Sequence, residues 1–264
     1  MKALIFAAGL GTRLRPFTES HPKALVPVAG KPMLGRVIEK IRDAGITDII
    51  VNVHHFASQI TDYLEANRNF GINIHVSDES GLLLETGGAV ARCARLFDLT
   101  EEPLLVHNSD ILTDFSLKSM CGRFNELKPD ALLLVKDRDT SRKLLFDKDD
   151  RLCGWRNLKT GELKLPLSRS LDNLEQRAFG GVHLISPALV GSLLDYNDAL
   201  VHKDGHFCDN TGATPFSITD FYIAGCPRLD ILGYDPGVSE DYSWFDVGRP
   251  ETLEEAECFI DNKS

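Results

Sequence analysis

Along the first half of the chain, short apolar runs alternate with segments whose apolar residues recur every three or four positions. Lys2–Ala8, Thr47–Val53, Ile72–Val76, Pro103–His107 and Ala131–Val135 are rich in Val, Ile and Leu. Such runs predict strands of a parallel sheet buried on both faces. Between them, Leu34, Val37, Ile38 and Ile41 recur at helical spacing over Leu34–Ala44, and Gly45 follows as a stop. Ala57–Asn69 puts Ile60, Tyr63 and Leu64 on one side, and Gly88–Leu96 is rich in Ala. Strand and helix in alternation predict right-handed βαβ crossovers, hence an α/β fold with a doubly wound, mainly parallel sheet.

The second half has another rhythm. Leu144–Trp155 has apolar ends around a charged turn, Asp147–Arg151, which predicts a β-hairpin. Gly180–Ile185 and Leu229–Tyr234 are further strand candidates. Asn157–Arg177 and Tyr196–Thr214 are polar and read as loops. Glu251–Ile260 reads as an acidic helix with Pro250 at its first turn.

Charge narrows the partners. With 29 Lys and Arg against 39 Asp and Glu, the net charge of −10 argues against a nucleic-acid binder, which needs clustered cations. A few local amides and cations can still hold a small anion. The longest apolar stretches, such as Ala3–Leu10, fall far short of the roughly 20 residues of a membrane span. The start of the chain resembles a strand and a glycine turn, with no cleavage site, so a cytoplasmic protein is expected. Six scattered cysteines, none in a C-x-x-C pair, predict reduced structural thiols.

The richest segment is Ala7–Leu14, AAGLGTRL, after the first strand. Gly9 and Gly11 let backbone approach an anion and turn amides toward it, and ligands of open α/β sheets sit beyond the strands' carboxyl ends. Leu14 stands where a dinucleotide fingerprint needs its third glycine, and the second strand ends Asn52-Val53-His54 without the acidic residue an NAD site requires. Pro32 after Gly30-Lys31 rules out the ATPase P-loop. The loop continues through Arg13, Pro16 and Thr18 to Pro22-Lys23-Ala24-Leu25, Pro27-Val28 and Lys31-Pro32. The whole pattern, G-x-G-T-R-L-x-P-x-T followed by P-K-A-L-x-P-V-x-x-K-P, resembles the signature of the sugar-1-phosphate nucleotidyltransferases.

Three other motifs extend the resemblance. Asn108-Ser109-Asp110 ends a strand where the family has G-D or N-G-D, with Ser109 in place of glycine. Trp244-Phe245-Asp246-Val247-Gly248 matches W-x-D-x-G, followed by Arg249 where the family often has Thr. Leu84-Glu85-Thr86-Gly87-Gly88 stands where many relatives carry L-G-T-A-G. The Glu85 variant resembles the branch that includes uridylyl transfer to N-acetylmuramate 1-phosphate and guanylyl transfer to mannose or heptose 1-phosphate. Read without the resemblance, this segment is a helix start with Thr86 as N-cap.

The resemblance implies a Rossmann-like nucleotidyltransferase fold over 1–264, with a nucleotide-binding half at about 1–135. A β-rich sugar-binding insertion carrying the second metal ligand follows at about 136–250, then a C-terminal helix at 251–264. It implies a nucleotide site of Ala8, Gly9, Gly11, Thr12, Arg13, Lys23, Glu85 and Gly88, with Arg13 and Lys23 catalytic. Asn108 and Gly181 fall on the sugar side, and Asp110 and Asp246 on Mg²⁺. The implied partners are an NTP and a sugar 1-phosphate, with no nucleic acid and no membrane, in a monomer or homodimer. UTP with N-acetylmuramate 1-phosphate is the first expectation, GTP with mannose or heptose 1-phosphate the second, and cytidylyl transfer the third. A non-catalytic nucleotide-sugar sensor would lack a metal carboxylate or Lys23, and all three are present. His54-His55, on opposite faces of an extended chain, read as packing residues. Asp220 reads as a helix cap, and His202, His206 and Cys208 have loose zinc-like spacing.

Overall fold

A computed structural model describes the chain except residues 167–169, 205–206, 239–240 and 264. Its strands are β1 (Lys2–Phe6), β2 (Pro27–Val28), β3 (Lys31–Pro32), β4 (Asp48–Val53), β5 (Asn73–Asp78), β6 (Leu104–Asn108), β7 (Ile111–Thr113), β8 (Ala131–Lys136), β9 (Arg142–Phe146), β10 (Leu152–Asn157), β11 (Leu163–Lys164), β12 (Glu175–Ile185), β13 (Ile231–Tyr234) and β14 (Trp244–Asp246). The helices are α1 (Met33–Asp43), α2 (Ala57–Ala66), α3 (Glu85–Phe97), α4 (Leu117–Leu127), α5 (Pro187–Asp204), α6 (Ile218–Gly225) and α7 (Pro250–Asp261). None is long and apolar enough to cross a membrane among the described residues.

The chain forms two compact units. The first comprises Met1–Leu83, Val106–Lys118 and Asp241–Ser264. In it β1 pairs parallel with β4, and β4 parallel with β5, setting Leu4 opposite Ile50 and Ile50 opposite His75; β6 lies beside β1. Leu4, Ile5, Ile49, Ile50, Val51 and Val53 are fully buried, as both-face coverage requires. The helical spacing of Leu34, Val37, Ile38 and Ile41 becomes the buried face of α1, and the chain leaves that helix through Gly45 at φ 93°. A Cβ on Gly35 would collide with the Tyr63 hydroxyl, so this glycine lets α1 approach α2 closely.

The second unit comprises Leu84–Leu105 and Ser119–Glu240. Its strands are mostly antiparallel: β12 with β8 and β9, β9 with β10, and β10 with β11. β13, by contrast, joins β8 in parallel. The predicted hairpin is β9–β10, its turn tied by the Asp147 carboxylate, which accepts the amides of Asp149 and Arg151 at 3.0 Å each. Two segments expected to be loops are partly regular. β12 begins at Glu175 because backbone pairing with Phe146, not an apolar side chain, starts the ladder. α5 runs to Asp204 through the polar Tyr196–Asp198, since Asn197 is fully buried and spends its amide on neighbouring backbone.

Candidate active site

The glycine loop is held from below by a buried relay. As the chain leaves β1, the Ala7 amide donates to Asn52 Oδ1 at 2.8 Å, and Asn52 Nδ2 donates to Glu79 Oε1 at 2.9 Å. Asn52 and Glu79 are each 2% exposed. Buried polar groups are retained at this depth only when hydrogen-bonded, so the relay fixes where Ala8 and Gly9 emerge. His54 joins it, with Nδ1 at 2.6 Å from the Glu79 carbonyl, while His55 packs against Phe56. Gly11 sits at φ 62°, and a Cβ there would stand 2.8 Å from Lys23 Cβ and 2.9 Å from Thr18 Cγ2. Glycine is therefore needed both for the turn and for bringing Lys23 against the loop. Thr18 Oγ1 donates to the Gly11 carbonyl at 2.8 Å. The following turn, Thr12–Leu14, buries Leu14 and leaves Thr12 and Arg13 exposed.

Four charged residues converge beyond this loop, all within the first unit. The Lys23 ammonium forms an ion pair with Asp110, the two side chains 13% and 20% exposed. Asp110 follows β6 in a tight turn, where the Ser109 amide donates to the Phe6 carbonyl at 3.1 Å. Pairing of β14 with β7 sets Asp246 opposite Ile111, and the Val247 amide donates to the Asp110 carbonyl at 2.8 Å. Thr252 Oγ1 donates to the Asp246 carbonyl at 2.5 Å. Gly248 marks the meeting point. A Cβ there would lie 2.7 Å from Asp246 Oδ1, 3.0 Å from Arg13 Nη2 and 3.3 Å from Lys23 Nζ. Arg13, Lys23, Asp110 and Asp246 thus surround one small space, and its charges nearly cancel. The other lysine of the long motif, Lys31, pairs with Glu39 instead.

The donor set suits Mg²⁺. The ion takes hard oxygen ligands, keeps several waters and commonly uses one or two carboxylates together with substrate phosphates. Asp110 and Asp246 offer such a pair, and no cluster of three or more His, Cys, Asp or Glu occurs among the described residues to form a full protein cage. Of the loosely spaced His202, His206 and Cys208, His206 lies outside the described residues.

Next to Asp110 lies His107, fully buried. Burial pushes its imidazole down to about 4; the hydrogen bond to the Asn108 carbonyl opposes this, Lys40 adds to the lowering and Asp110 resists it. Nδ1 lies 2.8 Å from that carbonyl and donates to it, while Nε2 has no hydrogen-bond partner among the described residues. Asn108 itself is half-buried, one turn from the carboxylate.

The remaining expected site residues belong to the second unit. Glu85 opens α3, exposed and with φ 57°, in the left-handed region that favours the glycine many relatives carry there. Gly87 and Gly88 are buried, and both amides point at the Phe216 carbonyl, at 2.8 and 3.4 Å. A Cβ on Gly87 would strike the Phe216 ring, and one on Gly88 the Thr214 carbonyl. Thr86 is not an N-cap: its Oγ1 accepts the Ile218 amide at 2.9 Å. The cap of α6 is Ser217, whereas Asp220 pairs with Lys164 at 2.8 Å. The 207–218 segment is tied down by Asp209, which pairs with Arg92 and accepts the amides of Thr211 and Ala213. Burial raises the Asp209 carboxyl, but these partners outweigh it and leave it below the ordinary carboxylate range. Gly181 is buried at φ 75° in β12, beside a register shift between Phe179 and His183. Asn52, Glu79, His107 and Gly248 were not expected as site residues. Among them only Gly248 carried a sequence signal, its place in W-x-D-x-G.

Comparison with known proteins follows the same lines. Residues 2–144 match the family model for nucleotidyl transferase. An N-acetylmuramate alpha-1-phosphate uridylyltransferase of Caulobacter vibrioides is 42% identical over 267 residues, 97% of this chain and 95% of that protein. One from Neisseria meningitidis serogroup B is 44% identical over 114 residues, covering 43% of this chain and 48% of that protein. A mannose-1-phosphate guanyltransferase of Gibberella zeae is 40% identical over 121 residues, 46% of this chain and 33% of that protein. Among solved structures, a UDP-glucose pyrophosphorylase complexed with UDP-glucose has the same fold, with a TM-score of 0.72 at 18% identity over 100% of this chain and 99% of that one.

Proposed function

The chain belongs to the nucleotidyl transferase family and is a sugar-1-phosphate nucleotidyltransferase, and on that premise we propose that it transfers the uridylyl group of UTP to N-acetylmuramate 1-phosphate. A phosphate oxygen of the sugar attacks the α-phosphorus of the NTP, a new P–O bond forms, and the bond to the β-phosphate breaks to release pyrophosphate. The attacking oxygen is already anionic, so no base or covalent enzyme intermediate is required. The obstacle is repulsion between two polyanions, and positioned countercharge removes it.

The observation that carries this reading is the convergence of Arg13, Lys23, Asp110 and Asp246 around Gly248. Arg13 and Lys23 neutralise charge on the α-phosphate and the departing pyrophosphate. Asp110 and Asp246 would hold Mg²⁺, which would act as a Lewis acid and withdraw charge from the phosphates. Gly9, Gly11 and Thr12 supply backbone that closely approaches phosphate, Ala8 enters the loop, and Glu85 and Gly88 lie at the base-reading turn. Asn108 and Gly181 serve the sugar. The fold works as one catalytic domain whose residues 136–250 contribute the sugar side.

Uridylyl transfer is favoured by the full-length similarity to the Caulobacter protein. The L-E-T-G-G variant and the Gibberella similarity favour guanylyl transfer to mannose 1-phosphate as the second reading. Four NTPs tested against several sugar 1-phosphates with Mg²⁺, scored by pyrophosphate, separate the two. UTP with N-acetylmuramate 1-phosphate should give the highest kcat/KM, and a higher value for GTP with mannose 1-phosphate would reverse the assignment.

A further inference from the structure

Lys143 is a buried cation with little to neutralise it. It lies in β9 of the second unit with its side chain 10% exposed. Its ammonium donates to the Arg138 carbonyl at 2.7 Å and reaches Asp137 Oδ1 only at 3.5 Å. Asp137 is 93% exposed, and it is the one ion-pair partner of Lys143 among the described residues. A loose partner in water offsets little of the cost of burying an ammonium group, and structures retain such groups when an anion or a full set of hydrogen bonds meets them. One of the three ammonium donors has a good acceptor here. Among the described residues the ammonium's other acceptor is Asp137, at the longer 3.5 Å.

The surroundings indicate what could meet this charge. Arg138, whose carbonyl accepts from Lys143, itself donates through Nη2 to the Phe179 carbonyl at 3.3 Å. Phe179 opens the irregular stretch of β12 that contains Gly180 and Gly181. A Cβ on Gly180 would stand 2.7 Å from Leu134 Cδ2, and Gly181 has φ 75°. The Arg138 guanidinium therefore reaches the residue that precedes the glycine bulge given above to the sugar, and the Lys143 ammonium is held on the backbone of that same arginine. N-acetylmuramate differs from N-acetylglucosamine by a lactyl ether that ends in a carboxylate, and a hexose 1-phosphate has no such group.

We propose that Lys143 is a specificity-determining residue that receives the carboxylate of the sugar 1-phosphate, so that the enzyme prefers an acidic sugar to its neutral counterpart. The inference rests on the substrate reading above. Charge-assisted hydrogen bonds are short and strong, and the carboxylate would supply the countercharge that Asp137 delivers weakly.

The experiment compares kcat/KM for N-acetylmuramate 1-phosphate and N-acetylglucosamine 1-phosphate in wild type, Lys143→Met and Lys143→Arg. In Lys143→Met the preference for the acidic sugar should fall about 30-fold, chiefly through its KM, as expected for a lost charged contact. Lys143→Arg, which keeps the cation, should restore part of it. An unchanged preference in Lys143→Met, or an equal loss on both sugars, overturns the proposal. If Lys143→Met does not fold, the Lys143→Arg ratio and the thermal shift of wild type with each sugar phosphate decide instead. A larger shift with the acidic sugar and an altered ratio support the proposal, and equal shifts overturn it. A wild type indifferent to the lactyl carboxylate sinks the substrate reading itself, and that result is visible without any variant.

Discussion

In the first unit, Arg13 and Lys23 ride on short turns between β1 and β2, Asp110 on the turn after β6 and Asp246 at the end of β14, and they are partly open to water. In the second, Glu85–Gly88 is clamped by buried backbone, with Phe216 and Thr214 pressed against glycines that have no room for a methyl group. The first arrangement places charge where a polyanion can reach it, and its neighbours would survive the loss of one charge. The second places shape, and any added atom disturbs the packing that defines it. Substitutions in the two regions should therefore separate into losses of rate and losses of stability.

The sharpest way to break this contrast is Lys23→Ala. Removing a positioned charge from a phosphoryl-transfer site costs on the order of 10²–10³ in kcat. Lys23 is only partly buried, and its partner Asp110 keeps some access to water, so the melting temperature should stay near that of wild type. Pyrophosphate release and a thermal melt on the same preparation test both halves. Near wild-type turnover removes Lys23 from the chemistry, whereas a collapse in melting temperature makes the first unit as packing-dependent as the second.

His107 sharpens the contrast from inside the first unit, because there a titratable group is held by burial. Its folded value of about 4 lies below the ordinary 6.5. As pH falls, the unfolded chain takes up this proton first, so the stabilisation is fully present above about 6.5 and is lost as pH drops toward 4. The span corresponds to about 3 kcal/mol. Urea midpoints at several pH values, for wild type and His107→Asn, isolate it: the variant should lose this part of the pH slope. Parallel slopes would show that the buried imidazole is not the source.

How far the residues announced all this depended on what kind of constraint each one meets. Strands buried on both faces and the spacing of α1 were legible because apolar burial is periodic. Arg13, Lys23, Asp110 and Asp246 were legible as motif members, although nothing local says that Arg13 and Lys23 meet at Gly248. Asn52 and Glu79 were not legible, since a buried amide and a buried carboxylate look like surface residues until their partners, 27 positions apart, are known. Thr86 misled for the same reason: its local pattern fits a cap, and a long-range bond to Ile218 takes the hydroxyl instead. The extent of α5 was hidden because Asn197, polar yet fully buried, spends its amide on the Gly212 carbonyl and the Thr214 amide rather than on solvent.

The smallest expected effect belongs to Gly88→Ala, where two opposing terms must be weighed. Alanine improves on glycine inside a helix by about 1 kcal/mol, which by itself predicts stabilisation within α3. Against it stands the Thr214 carbonyl, a backbone atom in the path of the new methyl group. That carbonyl has little freedom to retreat, because the Thr214 amide donates to Asn197 Oδ1 at 3.0 Å and its hydroxyl to the Phe207 carbonyl at 2.9 Å. Overpacking against a rigid neighbour costs up to about 3 kcal/mol, so the net should be a loss of about 2 kcal/mol, read as a lower melting temperature. Gly9→Ala is the matched control in the first unit, since nothing lies within 4 Å of its added Cβ, and its melt should not move. Equal melting temperatures for the two variants would mean that the 207–218 segment yields to the methyl group, and that the second unit holds its turn no more rigidly than the first holds its loop.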